Sequence, residues 1–151
     1  MEKNLERKIV NANEDKTTVV ERFMACISTN AKMASRVIRK TSRLAMNYKA
    51  SWFVVYVQAA DETALRIDGH VQTKLLQNMK LAAELGAKVV QLQTTGSIPD
   101  MLFNAALDQK ATNIVIGRPN QSIWRTLTGK NYFSKLVKKI GETDIDLIIV
   151  T

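Results

Sequence analysis

Two stretches of the sequence concentrate residue types that hold an anion. Ser28-Thr29-Asn30 places two hydroxyls and an amide between a short apolar run and a helical period. Such side chains cap a helix N-terminus. The same position, backed by the helix dipole, suits a contact to phosphate or ribose, and the two uses are compatible. The second stretch, Gly117 to Lys130, carries Gly117 and Gly129, the positive charges of Arg118, Arg125 and Lys130, and the hydroxyls of Ser122, Thr126 and Thr128. Backbone amides, hydroxyls and guanidinium groups together suit phosphate. Neither GxxxxGK[ST] nor GxGxxG spacing is present. The stretch therefore reads either as a phosphate loop without a named fingerprint or as a solvated basic loop leading into a helix. Trp124, beside Arg125, either stacks on a base or anchors the loop to the core.

No nucleophile–base pair accompanies these residues. His70 is the one histidine and Cys26 the one cysteine. His70 has no constellation around it and reads as a surface residue. Cys26 lies inside an apolar run and reads as a small core residue. Together they exclude a His/Cys zinc site and a disulfide framework. The expected action is binding without catalysis, with no metal and no required cofactor.

Charge is the third signal. The 151 residues hold 22 Lys and Arg against 14 Asp and Glu, a formal +8. This balance favours anionic partners, and the 46% hydrophobic content excludes a disordered polyelectrolyte. Six basic residues and no acid fall between Ala31 and Lys49, and six more between Gly117 and Lys139. Lys32, Arg36, Arg39 and Arg43 recur at spacings that share one side of a helix. That side is either a solvated outer face or a docking surface for an acidic partner or an anionic lipid surface. No helix-turn-helix or RNA-binding aromatic motif accompanies the charge, so DNA is not an expected partner. No apolar run reaches membrane-spanning length and no signal segment opens the chain, so a soluble domain of a reduced compartment is expected.

The elements that position these residues follow from periodicity. Residues 1–20 are polar and mixed in charge and read as a linker or lead-in to a domain spanning 21–151. Continuous apolar runs at Arg22–Ser28, Ser51–Val57, Lys88–Leu92, Asn113–Ile116 and Ile145–Val150 suit strands buried on both faces. Between them, helical faces are marked by Ala34, Val37, Ile38, Ala45 and Tyr48, with Thr41 a polar interruption; by Val71, Leu75, Met79, Ala82 and Leu85; by Ile98, Met101, Leu102, Ala105 and Ala106; and by Phe133, Leu136, Val137 and Ile140. Ser97-x-x-Asp100 with Pro99 starts the third helix, and Gly86 and Gly141 stop the second and fourth. The alternation predicts an α/β three-layer sandwich, with a five-stranded parallel sheet and four helices, of Rossmann-like type. In such sheets ligands bind outside the carboxyl ends of the strands where the strand order reverses. That rule selects Ser28-Thr29-Asn30, the segment from Tyr56 to Asp61, and Gly117 onward.

Several residue strings resemble a known family. Ala25-Cys26-Ile27, the basic helix Ser35-Arg36-Val37-Ile38-Arg39-Lys40, Val55-Tyr56-Val57, Leu81-Ala82-Ala83-Glu84-Leu85-Gly86-Ala87, and Ile114-Val115-Ile116-Gly117-Arg118-Pro119 with Ser122 and Trp124 downstream fall in the order and spacing of a universal-stress-protein-type domain. More narrowly, they resemble the one inside KdpD-type sensor histidine kinases of potassium and osmotic control. The ATP-binding branch of the stress-protein family carries an acid at the end of the first strand and a G-x-x-G-x9-G-[ST] loop after the fourth. Here Ser28 stands at the acid's position, Asn120 replaces the second glycine, and Gly129 comes one place early, followed by Lys130. Some KdpD relatives bind cyclic di-AMP through a pattern resembling S-x-S followed, after a spacer, by F-T-A-x-Y. Ser28, the aromatic Trp52 and Tyr56 fit that pattern; Asn30, Phe53 and Val54 depart from it.

The resemblance implies a cytoplasmic regulatory domain of a membrane-bound sensor kinase, acting by binding a nucleotide-type anion such as cyclic di-AMP or ATP. Arg118, Ser122, Trp124, Arg125 and Lys130 form the expected anion loop with Gly117 and Gly129. Ser28, Thr29, Asn30 and Tyr56 form the opposite wall. The expected protein partners are the other domains of the parent kinase, a stress protein, or a second copy through the apolar fifth strand. Two alternatives stand beside this reading. One is a protein-docking module that uses Lys32, Arg36, Arg39 and Arg43 and takes no nucleotide. The other is a free-standing ATP-binding stress protein.

Overall fold

Runs of β-branched and aromatic residues without polar alternation need cover on both faces, and each predicted run becomes a strand of one parallel sheet, but Lys88–Gln93 and Asp146–Val150 hold no buried residue where burial on both faces was expected, because they lie at the sheet's two edges. The computed structural model describes residues 20–58, 68–94, 96–118 and 132–151. Its order is β1 (Arg22–Ile27), α1 (Ala31–Tyr48), β2 (Ser51–Gln58), α2 (Gly69–Glu84), β3 (Lys88–Gln93), α3 (Ile98–Asp108), β4 (Asn113–Gly117), α4 (Tyr132–Ile140) and β5 (Asp146–Val150). The strands lie in the order β3-β2-β1-β4-β5, every pair parallel. The described residues form the predicted α/β sandwich with five strands and four helices.

Pleating divides the core in two. Phe23, Ala25 and Ile27 of β1, with Trp52, Val54 and Tyr56 of β2, face α1 and α2; Ala34, Val37 and Ile38 of α1 and Leu75, Met79 and Ala82 of α2 cover them. Met24 of β1, with Phe53, Val55 and Val57 of β2, faces the other way, against Leu102 and Ala106 of α3 and Leu136 and Ile140 of α4. Each fully buried side chain of this size contributes about 1.5–3 kcal/mol by transfer from water. Thr41, the polar interruption on the first apolar face, is buried with its hydroxyl donating to the Val37 carbonyl at 2.7 Å.

The predicted apolar faces run past the layer at the helix ends. Tyr48 and Leu85 are exposed at the carboxyl ends of their helices, whereas Val137 is exposed between the buried Leu136 and Ile140, at the margin of the apolar stripe of its helix. Tyr48 keeps one tilted ring contact, with Phe23 at 5.7 Å. Gly86 ends the second helix at φ +98°, a conformation that L side chains rarely adopt. At the third helix, Ser97 occupies the N-cap position but makes no capping side-chain bond. Its hydroxyl accepts from Lys135 of α4 at 3.4 Å, and Asp100 pairs with Lys139 at 2.8 Å, so the start of α3 is tied to α4.

The β1–β4 seam is fastened at its amino end. Oε2 of Glu21 accepts from the Thr112 hydroxyl at 2.6 Å and from Asn113 Nδ2 at 2.7 Å. The Arg22 amide donates to Thr112 Oγ1 at 2.9 Å. The Arg22 guanidinium lies 5.3 Å from the centroid of the Phe53 ring.

Candidate functional site

The strand order reverses between β1 and β4. From β1 the chain builds outward to β2 and β3, then returns to the other side of β1. The crevice at the carboxyl ends of β1 and β4 is therefore the place where an α/β sheet offers a ligand site. Cys26 is in register with Ile116, so Ser28 and Arg118 leave the sheet at the same level from adjacent strands.

On the β1 side, local hydrogen bonds shape the turn into α1. The Asn30 amide donates to Ser28 Oγ at 3.2 Å, and Asn30 Oδ1 accepts from the Met33 amide at 3.2 Å. Ser28 and Asn30 thus form a turn and an N-cap, the structural use weighed for them from sequence. Ser28, Thr29 and Asn30 all remain half-buried at the rim of the sheet. The 18 residues of α1 direct the positive end of the helix dipole to this rim, and the first turn carries no acidic side chain to oppose an anion.

On the β4 side, Gly117 permits a close approach. A Cβ there would overlap Cγ and Sδ of Met33 and touch Val37. The first turn of α1 therefore packs directly over the end of β4, and only a residue without a side chain fits beneath it unmoved. The Arg118 amide donates to the Val150 carbonyl at 2.7 Å, which continues the β4–β5 ladder and fixes the backbone while the Arg118 side chain stays exposed.

Tyr56 and Trp52 are placed differently from a solvent-facing stacking pair. Tyr56 is in register with Ile27, at the correct end of the sheet, but is 2% exposed and faces the α1–α2 core. Trp52 pairs with Phe23 near the start of β2 and is 6% exposed in the same core. Tyr56 lies four positions further on, about 13 Å along the strand. Ser122, Trp124, Arg125, Gly129 and Lys130 lie outside the described residues, as do 59–61 of the segment after β2. Lys32, Arg36, Arg39 and Arg43 project from α1 into solvent on the side away from the sheet.

Two supporting residues escape a motif reading. Met33 covers Gly117. Asn78, 8% exposed, donates from Nδ2 to the Ala31 carbonyl at 3.0 Å and ties α2 to the first turn of α1. Its signal was present: position 78 falls on the same helical stripe as Leu75, Met79 and Ala82. Cys26 packs against the α3–α4 core, and desolvation pushes its thiol up to about 12. His70 is exposed at the start of α2, where its amide is capped by Asp68 at 2.9 Å. Among the described residues no group of His, Cys, Asp and Glu could hold a metal ion, and no helix is long and apolar enough to cross a membrane.

No protein-family model matches the sequence. The chain is 27% identical to the sensor protein KdpD of Clostridium acetobutylicum over 97% of its own length and 16% of that protein's. Among solved structures, a universal stress protein in complex with cAMP superposes with a TM-score of 0.59 at 15% identity, covering 88% of this chain and 98% of that one. The universal stress protein of Archaeoglobus fulgidus in complex with dAMP gives 0.52 at 16% identity, covering 89% and 100%. The chain is thus a domain of universal-stress-protein fold whose sequence is similar to about one-sixth of a KdpD sensor protein.

Proposed function

We propose that the chain is the regulatory domain of a KdpD-type sensor histidine kinase and binds a nucleotide-type anion at the β1–β4 crevice, in the cytoplasm. The observation that carries the reading is the convergence at one strand-order reversal of the α1 N-terminus, whose first turn holds no acid, the Gly117 close approach and the exposed Arg118. Solved neighbours of the same fold that hold cAMP and dAMP support a nucleotide as the ligand. In this reading α1 amides and Ser28, Thr29 and Asn30 take the phosphate, Arg118 screens its charge, and Tyr56 forms the floor. Gly117 lets the first turn of α1 pack over the end of β4. Trp52 acts from within the core as packing, which favours a mononucleotide or ATP over a cyclic di-AMP mode built on that aromatic. Binding acts by biasing a larger two-state protein and not by chemistry on the ligand. Catalysis, with potassium and osmotic control, belongs to the parent kinase.

The free-standing ATP-binding alternative is weaker because Asn120 and Lys130 interrupt the glycine pattern it resembles. Calorimetric titration of AMP, ATP and cyclic di-AMP, each alone, tests the reading. Saturable binding of one of them, weakened about tenfold or more in Arg118→Glu through loss of a charge-assisted contact, is the expected result. Silence from all three overturns it.

A further inference from the structure

The positive charge of this domain is divided unequally between its two helical layers. α1 and α2 pack side by side on one face of the sheet and hold seven basic residues against one acid, Glu84. α3 and α4, on the other face, hold three basic residues against two acids, and one of those acids is already paired with Lys139.

On α1 the charge forms a line. Lys32, Arg36, Arg39 and Arg43 are spaced four, three and four residues apart, and Met46, 75% exposed, extends the same line by three. The line is about 21 Å long at 1.5 Å per residue. On α2, Lys74 and Lys80 are exposed and Leu76 is 56% exposed. Among the described residues none of these cations has an ion-pair or hydrogen-bond partner. The charges are spread across a two-helix layer, and two apolar side chains stand among them.

We propose that the outer face of α1 and α2 lies flat on an anionic lipid surface. A planar target of diffuse negative charge matches a planar layer of diffuse positive charge. Long basic side chains reach phosphate while their methylene stems, with Met46 and Leu76, meet the boundary of the acyl region. The crevice at the β1–β4 carboxyl ends lies at the end of the sheet, off this face, so docking and ligand binding involve different surfaces.

Co-sedimentation of the full chain with vesicles tests this. Binding is expected to vesicles of phosphatidylglycerol and phosphatidylcholine at about a 1:2 ratio, at an ionic strength of ~0.1 M, to fall steeply as salt rises, and to be absent for phosphatidylcholine alone. Each basic residue near such a surface contributes about fivefold, so the triple variant Arg36→Gln, Arg39→Gln, Arg43→Gln should lose ~100-fold in partitioning. These side chains are exposed, so an unchanged melting temperature is expected of the variant. A second variant, Lys110→Gln with Lys138→Gln, removes charge from the opposite side and should bind as the parent does. Equal binding to phosphatidylcholine, or equal loss in both variants, overturns the proposal. So does absence of vesicle binding with retained, variant-sensitive capture of poly-glutamate, which assigns the face to an acidic protein.

Discussion

Asn78 Nδ2 in α2 donates to the Ala31 carbonyl in the first turn of α1 at 3.0 Å, joining two residues 47 positions apart at the edge of the candidate site. This bond sets how α2 supports the helix whose N-terminus faces the crevice. Asn78→Ala removes a nearly buried amide and its partner's bond and leaves a small void. A loss of about 1–3 kcal/mol is expected in chemical denaturation. Asn78→Leu, which refills the volume without the bond, should recover part of it. Equal stability of Asn78→Ala and the parent would show that the bond contributes nothing.

Gly117 and Met33 supply a second prediction. A methyl at 117 collides with the far end of a flexible side chain and not with backbone, so Met33 can swing aside. Gly117→Ala is therefore expected to cost only about 1 kcal/mol or less. The displaced Met33 side chain has the crevice beside it, so nucleotide affinity should fall more than stability does. Thermal melts and titrations on the same variant read the two effects separately.

Cys26 should be inert while the protein is folded. Burial raises its thiol to about 12, so almost no thiolate exists at neutral or mildly alkaline pH. Labelling with a disulfide-exchange reagent at pH 8 should be slow in native buffer and rapid in denaturant. Fast labelling of the native protein would mean that the half-buried thiol is reached without unfolding.

Asp100 gives a pH dependence. Its hydrogen bond to Lys139 holds its carboxyl below the ordinary value of 3.8, with Lys135 and Ser97 acting in the same direction. A group whose folded pKa is depressed stabilises fully above its unfolded pKa, and the gain disappears as pH falls through the folded one. Asp100→Asn should therefore melt below the parent at pH 7, and the gap should close below pH 3.8, as the parent's carboxyl protonates. The pair is solvent-accessible, so raised salt should narrow the gap at pH 7 as well.

The strands were legible because their physics is local. Trp52–Val57 is apolar without alternation, and two-sided burial suits it. The helix faces were legible for the same reason, except where Tyr48 and Leu85 sit on turns that overrun the sheet, a boundary set by tertiary length and not by period. The strand order was not written in any single segment. Pairing β1 with β4 depends on contacts such as Glu21 with Thr112 and Asn113, about ninety residues away. The same gap explains the aromatics. Trp52 and Tyr56 have a spacing that places both on one face of a strand, but whether that face meets solvent or helices depends on where α1 and α2 pack. Asn78 illustrates the converse: a polar residue on an apolar stripe is visible, yet its partner, the Ala31 carbonyl, is not.

The β1–β4 pairing also has a kinetic meaning. β1 can pair with β2 through a short crossover, but its other edge stays open until β4 arrives some ninety residues later. Joining distant segments carries a loop-closure cost that must be met before their contacts repay it, so this seam is expected to close among the last steps of folding. An open inner strand is also the edge most prone to pair with a neighbouring chain. A ligand held across Ser28 and Arg118 would recognise only molecules in which the seam has closed, and by mass action would draw slow or reopened chains back to the finished sheet.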